Sequence, residues 1–201
     1  MGEADKRTQR EEQARTVAHP VRRTLIAGVG YRNLRDMSAG NAVVDALLAS
    51  HPQLRPALGA PPNLQPSTFN LQPVEVEDLS YGPMDAIYRL REGGFERLIV
   101  VGAVARPGRI PGEVYRRRWR YEPEPPALVQ ARVAEAVTGV ISLDNLLVIC
   151  AHFDALPSEV TVIEVEPEDD GWGEGFSPRV ERAIERIVAQ LSAELGARNA
   201  E

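Results

Sequence analysis

Cysteine is almost missing from this chain: one residue, Cys150, in 201. A single thiol excludes an internal disulfide framework and any zinc site built on cysteines, and it fits a reducing compartment. Long apolar runs are missing too. No stretch approaches the ~20 apolar residues that a membrane-spanning helix needs, and the first residues hold no apolar segment of the kind a secretory signal carries. Positive charge is not in excess. The 23 Lys and Arg against 29 Asp and Glu give a net charge of −6, which argues against nucleic acid or an anionic membrane as the main partner. No Gly-x-Ser-x-Gly elbow occurs, so a serine nucleophile has no support. At 43% hydrophobic and 26% charged, the composition is that of a globular domain, expected in the cytoplasm.

What is present is organised around residues 24–48. The apolar run Leu25-Ile26-Ala27 passes into Gly28-Val29-Gly30, and after a polar loop Val43, Val44, Leu47 and Leu48 resume with helical spacing. This predicts a strand over Thr24–Val29 and a helix over Ala39–Ser50. Ligands of open α/β sheets sit beyond the carboxyl ends of the strands. Gly28, Gly30, Tyr31 and Asn33 are therefore expected to line a cleft, and the loop from Tyr31 to Ser38 is the place to look for function. Residues 1–21 carry mixed charges and few apolar side chains, and are expected to be a disordered tail. Five prolines between His51 and Ser67 predict a long loop inserted into a single domain of residues 22–196, with a short tail at 197–201.

Further along, Leu71–Leu79 predicts a second strand exposed on one face, followed by a helix from Pro83 to the Gly93-Gly94 stop. Arg97–Val104 is apolar throughout its centre, as in a strand covered on both faces. Glu113–Tyr121 predicts a fourth strand, and its RRRWR segment fits a solvated edge whose charges block edge-to-edge pairing. Leu128–Val137 and Ser142–Phe153 predict helices, Glu159–Val165 a fifth strand, and Ser177-Pro178 opens a final amphipathic helix. Alternation of strand and helix predicts a three-layer α/β sandwich around a mixed, mostly parallel five-stranded sheet.

Chemistry is harder to find. The Gly28-Val29-Gly30 run lacks the third glycine of a dinucleotide fingerprint, since position 33 is Asn. Cys150, His152 and Asp154 stand close in sequence, but i and i+2 on a helix point ~200° apart, so they do not make a metal site. Cys150 lies in an apolar stripe and reads as a core residue. Asp36, in the first loop, is the one candidate catalytic carboxylate.

Three segments together resemble the hydrogenase maturation endopeptidases, which trim the C-terminal extension of the NiFe-hydrogenase large subunit. LIAGVGYRNLRDMSAGNAVVDAL resembles that family's glycine-rich strand, its carboxylate-bearing loop and its first helix. LIVVGAVARPGRIPGEVYR resembles its central strand and the Pro-Gly turn after it. LPSEVTVIEVEPEDDGWGEGFSPRVERAIERIV resembles its late strand, glycine loop and last helix. The resemblance implies a mixed five-stranded sheet between helices. It also implies a nickel or surrogate metal held by an acid in the first loop, an Asp ending the third strand and a His before the fourth helix. Here those positions fall at Met37, Gly102 and near Gly139. A thioether is a poor ligand for such an ion and glycine offers none, so no metal and no cofactor are expected. The opening also resembles peptidyl-tRNA hydrolases, but their reactive His after the loop is missing.

The resemblance thus implies a protease-like protein that has lost cleavage and kept a binding or assembly role, with a hydrogenase-like large subunit as partner. Two alternatives stay open: an endopeptidase with relocated groups drawn from Asp36, His152 or the acids at 168–170, and a self-associating structural protein unrelated to hydrogenase.

Overall fold

Strand β3, Arg97–Ala103, lies at the middle of the sheet, and its surroundings explain why its sequence does not alternate. Leu98 and Val100 pack into one layer, Ile99 and Val101 into the other, and none is more than 2% exposed. The computed structural model describes residues 22–56, 74–80, 82–136 and 142–198. The predicted N-terminal tail, most of the 51–67 loop, Gly139 and residues 199–201 lie outside the described residues; Ala197 and Arg198, expected in the C-terminal tail, instead end the last helix.

Strands β1 (Thr24–Val29) and β5 (Glu159–Val165) flank β3 in parallel; β2 (Val74–Asp78) extends the sheet beside β1. Strand β4 (Val114–Arg118) pairs antiparallel with β5 at the other edge, which gives the order β2-β1-β3-β5-β4. Helices α1 (Ala39–Ser50) and α5 (Pro178–Arg198) bury Val43, Val44, Leu47, Val180, Ile187 and Leu191 against one face. On the other face lie α2 (Pro83–Glu92) and α4 (Leu143–His152), with α3 (Pro126–Ala136) packed on α4. This is the predicted three-layer sandwich, with a mostly parallel sheet and helices on both faces.

Some local expectations are corrected. The second strand is described over Val74–Asp78, residues 71–73 lying outside the described residues, and its second face is not exposed: Glu75 is 7% exposed, clamped by Arg23 and Arg89. Both guanidiniums also stack 4.8 Å from the Phe95 ring, so long charged side chains cover this face with their stems and planar heads. The RRRWR strand is an edge, as predicted, but only partly solvated: Arg116 pairs with Glu194 and Arg117 reaches the buried Glu164.

Gly28 and Gly40 make the contact between β1 and α1. A Cβ at position 28 would fall far inside van der Waals distance of the Gly40 carbonyl and 2.8 Å from Val44 Cγ2. Glycine here serves close strand–helix packing. Gly28→Ala is expected to lower unfolding free energy by about 2–3 kcal/mol through overpacking; a denaturant midpoint equal to that of the parent would refute this account.

Candidate functional site

Three loops meet beyond the carboxyl ends of β1, β3 and β5. The first, after Gly30, passes through Asn33 and Arg35, both at positive φ (65° and 36°), into a 3-10 turn over Arg35–Ser38. This bend turns the Asp36 side chain inward, where it is fully buried. Its Oδ2 accepts hydrogen bonds from the backbone N–H of Glu168 (2.9 Å) and Asp169 (2.8 Å) and from the Ser177 hydroxyl (2.9 Å), and Oδ1 accepts from the Ser177 N–H (2.7 Å). A carboxylate so surrounded is satisfied without a counter-ion. The two loops are also zipped along the backbone: Leu34 bridges Gly173, Arg35 N–H donates to Gly173, Asp36 N–H to Asp169, and Gly173 N–H to Asn33. The Arg35–Asp169 ion pair (2.9 Å) closes the outside.

On the other side of β3 the chemistry is that of arginine. Glu164 is fully buried, paired in register with Gly102 of β3. It receives Arg106 (2.8 Å), Arg109 (2.6 Å) and Arg117 (2.8 Å). Arg106 reaches on to Asp144 at the start of α4 (2.8 Å), and its N–H donates to Glu166. Burial works to raise the Glu164 carboxyl, but the hydrogen bonds from Arg106, Arg109 and Arg117 outweigh it and hold it at about 2.

The metal site implied by the resemblance does not fit these residues. At Gly102 a Cβ would stand 2.7 Å from Leu143 Cδ1 and 2.9 Å from the Val29 carbonyl, so the space for an aspartate is taken by leucine. Met37 packs, half-buried, against the α1/α5 layer. Asp36, its neighbour, has its oxygens committed to the loop. Among the described residues no group of three or more His, Cys, Asp or Glu is placed to hold a metal ion.

The other candidates do not converge with Asp36. Gly28 and Gly30 face inward: a Cβ on Gly30 would lie 2.6 Å from the Met37 carbonyl. Tyr31 is half-buried and Asn33 exposed at the loop. His152 ends α4, whose first residues stand beside Gly102; ten helical residues put it about 15 Å away at the opposite edge of the sheet. Cys150 is fully buried, and burial pushes its thiol up to about 12, which leaves no thiolate for chemistry. Asp169 is engaged by Arg35, and Asp169 Oδ1 also accepts the Gly171 N–H. Four residues matter here that the sequence did not point to: Glu164, Arg106, Leu143 and Trp172. Trp172 is 83% exposed at the tip of the zipped loop. A lone tryptophan between glycines in an acidic loop was the available signal.

A parallel-cored sandwich with one antiparallel edge strand, and with the β1, β3 and β5 loops gathered at its carboxyl edge, defines the class. No protein-family model matches the chain, and no curated protein matches it. Solved structures do. HybD, a hydrogenase maturating endopeptidase from E. coli, is 25% identical with a TM-score of 0.57, over 88% of this chain and 93% of that one. An endopeptidase from Escherichia coli is 25% identical with the same TM-score of 0.57, over 86% and 91%. A hydrogenase 2 maturation peptidase from a Thaumarchaeota archaeon is 26% identical with a TM-score of 0.51, over 87% and 99%. The chain is a structural homologue of the hydrogenase maturation endopeptidases, protease-like in fold. Among its described residues no helix is long and apolar enough to cross a membrane.

Two outcomes follow from the two carboxylates. Asp36→Ala leaves three N–H groups and a hydroxyl without their buried acceptor, so it is expected to cost about 3 kcal/mol and to speed amide exchange at Glu168, Asp169 and Ser177; unchanged exchange there would contradict the fastening role. Glu164 is depressed from an ordinary 4.5 to about 2, so its contribution is fully present above pH ~4.5 and is lost as pH falls through ~2. Glu164→Gln is expected to cost about 3 kcal/mol at neutral pH, with the gap to the parent closing under acid in urea titrations. A gap independent of pH would refute the assignment.

Proposed function

We propose that this chain is a catalytically degenerate relative of the hydrogenase maturation endopeptidases. It binds a hydrogenase-like large subunit, or a component of its assembly, in the cytoplasm and does not cut it. The observation that carries this reading is Leu143 against Gly102: the position from which the family's strand-end aspartate would reach a metal is filled by a leucine side chain. The neighbouring positive charge is the Arg106 guanidinium, tied to Asp144 and Glu164. A fixed guanidinium binds carboxylates but offers no open coordination position to a substrate.

Binding has separate support. The loops at 31–38 and 168–176 are fastened to each other by Asp36 and by three backbone hydrogen bonds, so Trp172 stands exposed on a segment that is already ordered. An exposed tryptophan on a preorganised loop is the usual anchor of a protein interface, because little entropy remains to be lost on docking. The intact core argues in the same direction, since capping, packing and buried polar pairing remain mutually consistent.

The test combines metal and precursor. Equilibrated with nickel, zinc or cadmium, the purified protein is expected to retain no stoichiometric metal. Mixed with a hydrogenase large-subunit precursor, it is expected to co-elute with it and leave its length unchanged, with co-elution weakened at least tenfold by Trp172→Ala. Tight metal binding lost in Asp36→Ala, or a shortened precursor, would restore the endopeptidase reading.

A further inference from the structure

The outer edge of β4 is an open hydrogen-bonding edge. Glu113 carbonyl accepts from Glu166 N–H, and Trp119 N–H donates to Val160 (2.9 Å). In an antiparallel pair these bonds fix the alternation: Tyr115 and Arg117 turn their backbone groups toward β5, while Val114, Arg116 and Arg118 turn theirs away from the sheet. No described group takes those outward N–H and C=O groups. Such an edge is a template for a further strand.

Its side chains say what that strand must be. The whole chain has a net charge of −6, yet Arg116, Arg117, Arg118 and Arg120 follow one another along this edge. Arg116 and Arg117 are paired to Glu194 and Glu164. Arg118 and Arg120 are exposed and pair with no described carboxylate. A second copy of β4 laid on this edge would set arginine against arginine, which opposes self-pairing. Where the strand ends, a groove of about 400 Å³ opens, lined by Trp119, Tyr121, Arg118, Arg120, Leu156 and Pro157, among others. Trp119 and Tyr121 stack with centroids 6.2 Å apart and an interplanar angle of 22°. The groove adjoins the amino end of β5, on the far side of the sheet from the Asp36 loops.

We propose that β4 is a docking edge for an acidic, extended peptide segment of a partner protein. That segment adds as a sixth strand through the outward groups of Val114, Arg116 and Arg118 and places its acids on Arg118 and Arg120. It seats one apolar side chain in the Trp119–Tyr121 groove. Main-chain bonds supply affinity, and the arginines and groove supply selectivity. This surface is separate from the carboxyl-edge surface proposed above, and it stands whether or not the partner is a hydrogenase subunit.

The probe is a short synthetic peptide of alternating Glu and Val ending in Phe, titrated into full-length protein carrying Trp172→Phe, so that Trp119 is the remaining tryptophan. Saturable change in Trp119 emission is expected, with amide shifts centred on Val114, Arg116 and Arg118. The double substitution Arg118→Glu and Arg120→Glu is expected to weaken binding at least tenfold. Arg116→Pro, which removes one outward N–H at an edge position that tolerates proline, is expected to do the same while circular dichroism stays unchanged. A peptide with Lys in place of Glu is expected not to bind. No saturation with the acidic peptide, equal binding of the lysine peptide, shifts centred on Tyr31–Ser38 instead, or a mass that rises with protein concentration would each overturn the proposal.

Discussion

The carboxyl edge of this molecule depends on one buried carboxylate. Asp36 carries its charge out of water with no cation in contact, a state that is costly unless every lone pair is engaged. Four donors engage them, all from residues 168, 169 and 177, and three of them are backbone N–H groups. The dependence runs both ways. Without the 168–177 loop Asp36 would be an uncompensated charge, and without Asp36 that glycine-rich loop would lose the acceptor of three backbone N–H groups. Each loop therefore stabilises the other. The start of α5 is fixed by the same device, since Ser177 precedes its first residue.

Glu164 solves the matching problem on the other face by the opposite means. It is buried as deeply as Asp36 but is met by three guanidiniums, and through Arg106 it is linked to Asp144 at the first turn of α4. The network joins β5, β4, the loop after β3 and the N-terminus of α4. It stands beside Gly102, where Leu143 fills the neighbouring volume, so leucine packing and guanidinium–carboxylate pairing together hold this end of the sheet.

The sequence made the sheet legible because burial on both faces leaves an unmistakable record. Leu98 to Val101 can be nothing but a central strand, and Val180, Ile184, Ile187 and Leu191 share one helix face. Strand β5 was read to its bounds, Glu159–Val165. Its Glu164 shares a face with the buried Val160 and Val162, where an acid is unexpected, and its burial is explained only by Arg106, Arg109 and Arg117, which come from other elements. Asp36 was visible as a candidate acid, yet its partners lie 132 to 141 residues away, so no local pattern could separate a fastening carboxylate from a reacting one. Gly28 and Gly30 raised the same difficulty. A glycine pair at a strand end fits an open cleft and close packing equally well, and only the positions of the Gly40 carbonyl, beside Gly28, and of the Met37 carbonyl, beside Gly30, decide.

The distribution of charge completes the picture. An acidic chain sets arginine around Glu164 and along the β4 edge, and Arg117 of β4 joins the two. Residues 115, 117 and 119 turn toward α4 and the buried acid, while 116, 118 and 120 turn toward α5 and solvent, as a two-residue period requires. Arg117 is therefore needed inside, and the same run serves outside by keeping two copies of the edge apart. Mutual repulsion of like charges opposes self-pairing without closing the edge to an acidic strand. One run of arginines thus contributes to the fold on one face and to partner selection on the other.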